Sequence, residues 1–165
     1  MREVAFVDIV DETRKVLIYQ STEGVFLFGY DCLQDTSSKW DNRFMTIEDA
    51  KEYCKDIYKL ANDKWIAIGD PLENCQRDFI MPTRVKGREI GNPESGRFEL
   101  LVNGKWVDFD VRDKCHDLAG LTGNERLFVT GLIDEFDKAK NGNKSKARQI
   151  LIALGFDEKS IDRIV

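Results

Sequence analysis

Residues 3–30 read EVAFVDIV, DET, RKVLIYQ, STEG and VFLFGY. Val, Ile, Phe and Tyr fill three of these pieces, and such residues suit a pleated, half-buried strand. Asp11, Glu12 and Thr13 separate the first run from the second, and Ser21 to Gly24 separates the second from the third. Connections of three or four residues cannot hold a crossover helix, so the three strands must be antiparallel neighbours. Their apolar alternation is imperfect, which predicts a sheet covered on both faces. The reading is therefore an α+β fold built on an antiparallel sheet of about five to seven strands.

Outward from this meander, Asp31 to Lys39 is polar and reads as a loop, and Trp40 to Met45 as a short edge strand. Thr46 with Asp49 resembles a capping box, so a helix is expected over 46–61. Ile47, Ala50, Cys54, Ile57 and Ala61 recur at spacings of three and four, which marks the face that packs on the sheet. A strand follows at Trp65 to Ile68. Asn103-Gly104, between two apolar runs, is the strongest local hairpin signal because a type I′ turn needs positive φ at both positions. A capping box at Thr122 and Glu125 opens a helical tail of three helices. Asn141 to Asn143 and Gly155 are its breaks, and Asp157 is the last N-cap. Helices this short cannot stand alone in water. The domain reading is thus 1–110 for the sheet unit and 120–165 for a helical segment docked on it.

Composition sets the wider limits. The chain has 165 residues, 42% hydrophobic and 33% charged, which is globular rather than disordered. No apolar run approaches the roughly 20 residues needed to cross a bilayer, and the first ten residues lack the pattern of a signal peptide. A soluble, cytoplasmic protein is expected, with Cys32, Cys54, Cys75 and Cys115 as reduced thiols. The net charge of −5 is uneven: residues 1–70 hold 9 basic and 14 acidic groups, 71–109 hold 6 and 6, and 110–165 hold 10 and 10. The whole excess lies in the first segment. That argues against nucleic acid there and suits a cationic partner.

No phosphate-cradling glycine motif occurs. Cys115 and His116, the single histidine, are adjacent, too close for a zinc knuckle or for a facing nucleophile and base. No cofactor or metal is expected. The leading expectation is a non-enzymatic protein-binding module, in concrete form an immunity-type inhibitor of a basic partner. Asp31, Asp35, Trp40 and Asp41 are its candidate contacts, with tryptophan as anchor and carboxylates steering association.

Two alternatives rest on other segments. Gly69 to Arg97 form a long stretch of weak periodicity, and such loops are often functional, so its 70–88 part is a candidate site. Asp70, Arg77, Asp78 and Arg84 could serve a small-molecule site or an enzyme. Arg84, Lys86 and Arg88 alternate, so an extended strand would aim all three one way, able to grip carboxylate or phosphate. The second alternative is nucleic-acid binding through Lys138, Lys140, Lys144, Lys146 and Arg148, although no aromatics interleave them. Helix-end dipole pairing accounts for part of that cluster.

Overall fold

The computed structural model describes residues 1–110 and 118–165. Strands β1 (Arg2–Val10), β2 (Thr13–Ser21) and β3 (Gly24–Tyr30) form the expected antiparallel meander. β4 (Trp40–Phe44) and β5 (Ile66–Ile68) complete a five-stranded sheet in the order β4-β3-β2-β1-β5. The register pairs Val4 with Leu17 and Leu17 with Phe28. Asp11 and Glu12 take φ values of 47° and 64°, the left-handed pair that a two-residue hairpin requires, and the ladder slips between Phe6 and Val10 beside that turn. β6 (Thr83–Val85), β7 (Phe98–Val102) and β8 (Lys105–Phe109) make a second, separate antiparallel sheet. Asn103 and Gly104 turn β7 into β8 with φ of 50° and 74°.

Both faces of the five-stranded sheet are covered. Helix α1 (Ile47–Tyr58) packs on one face, where Ala50 and Cys54 meet Ala5, Val16, Ile18, Val25 and Leu27. Both halves of the Thr46–Asp49 capping box form. The helix is shorter than its apolar spacing predicts. Lys59 turns left-handed at φ 56° and Leu60 folds back into the core, so Ala61 is exposed. The buried positions are 50, 54 and 58, spaced by four, and Ile57 is 42% exposed.

The tail covers the other face. α2 (Gly123–Val129), α3 (Ile133–Gly142), α4 (Lys144–Ala153) and α5 (Glu158–Ile164) share one core with Val4, Leu17, Tyr30, Ile66 and Ile68 of the sheet. The first expected tail helix is two, broken at Gly131. Its φ is 78°, and a Cβ there would stand 2.7 Å from the Asp35 carboxylate, so the chain must turn at a glycine to pass that side chain. Among the described residues no helix is long and apolar enough to cross a membrane.

Candidate functional site

The charged residues singled out by sequence fall into three groups, and most of them are held inside the protein's own structure. Asp35 is buried at 6% exposure. The segment expected to be a polar surface loop runs inward, and Gln34 and Thr36 are buried beside it. Asp35 Oδ1 accepts from the Ile80 amide at 2.8 Å, and Oδ2 from the Met81 amide at 2.7 Å. Burial raises its pKa to about 6, against the opposing pull of Lys15, the two amides and Arg2. Arg2, 3% exposed, donates to the Gly69 carbonyl at 2.6 Å and also to the Phe79 and Ile80 carbonyls. Burial lowers its pKa from the ordinary arginine value. Tyr30 donates to the Asp78 carbonyl, and the Asp78 carboxylate accepts from the Ser38 amide at 2.9 Å. Lys15 lies 4.2 Å from the centre of the Tyr30 ring and donates to the Gln34 carbonyl. Arg2, Tyr30 and Asp35 thus fasten residues 69–81 to the sheet by their backbone groups.

The other three partner candidates diverge. Trp40 lies flat on the sheet, and a Cβ on its register partner Gly29 would come within 2.0 Å of its ring. Its indole N–H reaches Thr13 Oγ1 at 3.4 Å. Asp31 pairs with Lys39 at 3.2 Å. Of the four only Asp41 is exposed. An acidic ring around a tryptophan anchor is not what these four residues form.

The cationic stripe of 84–88 is not assembled either. Gly87, at φ 77°, ends the extended run after β6 and sends Arg88 into a single helical turn. Arg84 is clamped by Glu89 at 3.0 Å and Glu99 at 2.9 Å and stacks 4.1 Å over Trp106. Lys86 pairs with Asp108 at 2.6 Å, and Arg88 donates to Gln76 at 2.6 Å. Arg77 pairs with Glu23 at 3.2 Å, and Asp70 with the N-terminal ammonium at 3.0 Å. In the tail, Lys146 and Lys138 meet Glu135 at 2.8 and 3.6 Å. Arg148 bridges Glu158 and Asp162, and Lys144 caps the carbonyl of Val165 at 2.9 Å. Of that cluster only the exposed Lys140 has no such partner among the described residues.

Cys32, Cys54 and Cys75 are free and buried, and burial pushes the Cys54 thiol up to about 12. Cys115 and His116 lie outside the described residues. Among the described residues no three His, Cys, Asp or Glu side chains stand close enough to hold a metal ion.

A row of carboxylates on the outer face of α1 is also unengaged among the described residues. Glu48, Glu52 and Asp56 stand one turn apart, all exposed, and none has a side-chain partner among the described residues. Met45, just before the helix, is 88% exposed, and Ile57 is 42% exposed near its end. These residues were missed in the sequence reading, although their i, i+4, i+8 spacing is visible there. In the sequence the apolar stripe on the other side of the same helix is the stronger pattern. The fold and this face define, at the coarsest level, a mixed α+β protein with an acidic, partly apolar outer helix face. No family model, curated protein or solved structure matches the chain.

Proposed function

We propose that the protein is a non-enzymatic binding module that presents the outer face of α1 to a basic protein partner. The supporting observation is the row Glu48, Glu52 and Asp56. The helix dipole accounts for Glu48, which stands in the first turn, but not for the continuation of the row to Asp56. Like charges at i, i+4 destabilise a helix by a few tenths of a kcal/mol, and an acid in the last turn opposes the dipole. Met45 and Ile57 supply apolar contact at the two ends of the row. Met45 precedes the N-cap yet does not staple onto the buried Ala50, so its exposure has no local packing role. An acidic centre with a flexible methionine beside it suits steering and then burial of a basic surface. Inhibition of that partner, as an immunity-type protein would perform it, is the concrete form of this reading.

The test captures partners on the immobilised full chain at low salt, beside the variant Glu48→Gln/Glu52→Gln/Asp56→Asn. The expected result is a basic protein retained by the first and lost by the second. With that protein purified, neutralisation should slow association about tenfold and flatten its salt dependence. Equal retention by both chains overturns the reading.

A further inference from the structure

A cleft of about 1140 Å³ opens at the end of the molecule where β5 stops. β5 pairs with β1 only over Arg2 to Val4. The chain before it peels away through the single helical turn Asn62–Lys64, so Ala5 to Val10 of β1 have no strand on that side among the described residues. Phe6, Val7 and Asp8 form one wall of the cleft. The opposite wall is α4, held in place where Gln149 donates to the carbonyls of Asp63 at 2.7 Å and Trp65 at 3.0 Å. Helix α4 therefore stands beside β1 without pairing to it, and the gap between them is the cleft.

The charge of this gap is opposite to that of the chain. Four cations line it, Arg14, Lys59, Lys64 and Arg148, against Asp8 and Asp63, a balance of +2 in a protein of −5. Arg148 is already tied to Glu158 and Asp162, and Lys59 donates to the Asp56 carbonyl at 2.7 Å. Arg14 and Lys64 make no ion pair among the described residues. Between the cations lie Phe6, Leu33, Leu60 and Ile152, the last 49% exposed.

We propose that this cleft takes an extended acidic peptide segment of a partner protein, added as a strand to the edge of β1 beyond Val4 that is unpaired among the described residues. An open edge offers unpaired amides and carbonyls, which is how β-augmentation recognises an extended chain. Arg14 and Lys64 meet its carboxylates, and Leu60 and Ile152 take the alternate apolar side chains. The volume exceeds the ~300–1,000 Å³ of ordinary small-molecule sites, as a peptide groove would. The site is independent of the α1 face, which carries the opposite charge.

The probe is a pooled library of octapeptides in which Glu or Asp alternates with aliphatic or aromatic residues, selected on the full chain. Recovered peptides should slow amide exchange at Phe6, Val7 and Asp8. Arg14→Gln/Lys64→Gln should weaken their binding about tenfold with the melting temperature unchanged. N-methylation of alternate amides in one of the two registers should abolish it. An empty selection overturns the proposal. So does equal binding to the double variant, or by peptides methylated in either register, since that would be simple ion attraction. Recovery of basic peptides from a matched Lys and Arg library in place of the acidic ones overturns it as well.

Discussion

On one face of the five-stranded sheet a single helix, α1, closes over Ala5, Val16, Ile18, Val25 and Leu27, and no fully buried charge lies beneath it among the described residues. On the other face four helices and the 69–81 segment close over Val4, Leu17 and Tyr30, with Arg2, Lys15 and Asp35 enclosed among them. The apolar face needs only volume and periodicity, so its helix leaves an outer surface free to carry unrelated charge. The polar face needs each buried group matched to a particular backbone atom, which leaves little charge there for a partner. The contrast explains why functional candidates survive on α1 and not on the loop.

The largest effect should come from the tail face. Phe136, 5% exposed, is part of the core shared by sheet and tail. Phe136→Ala should cost about 3–5 kcal/mol in urea unfolding. A loss under about 1 kcal/mol would mean that the two regions do not share a core.

Next in size is the pH response of the buried acid. The folded pKa of Asp35, about 6, lies above its ordinary 3.8, so the folded state holds this proton more tightly. Its favourable contribution is complete below the unfolded value and is lost as pH rises through about 6. The loss between pH 4 and 7 is about 2 kcal/mol, most of the full effect. Stability curves of the wild type and Asp35→Asn should differ by that slope. Parallel curves would place Asp35 in water, as a surface residue like those of α1.

The apolar face should respond less. Thr46→Ala removes the cap of α1 and should cost about 1 kcal/mol, read by thermal melting. Smallest of all, Glu48→Gln/Glu52→Gln/Asp56→Asn should change stability by under about 0.5 kcal/mol, because relief of repulsion along the row is offset by loss of the first-turn acid Glu48. A larger loss would show that the row is structural and would blur the difference between the two faces.

The same contrast decides what could be read from sequence. The three strands, the Asn103-Gly104 turn, the Thr46 and Thr122 capping boxes and the α+β class are local patterns, and the structure contains them. The break at Gly131 could not be read, because its cause is Asp35, nearly a hundred residues earlier. Asp35 itself has polar neighbours in sequence, and its burial depends on amides at 80 and 81. Arg84, Lys86 and Arg88 alternate in the sequence, yet the left-handed Gly87 and the carboxylates of Glu99 and Asp108 determine where they point. Long-range pairing of charge is the step that periodicity does not encode.

The division between a face fastened by buried charge and a face that leaves its charge free turns on Asp35. Carbon-13 NMR titration of its side-chain carboxyl in the intact protein measures this directly. The account predicts a midpoint near 6, with the Ile80 and Met81 amide resonances moving in step as the accepting carboxylate is protonated. A midpoint at or below 3.8, with those two amides unmoved, would contradict it.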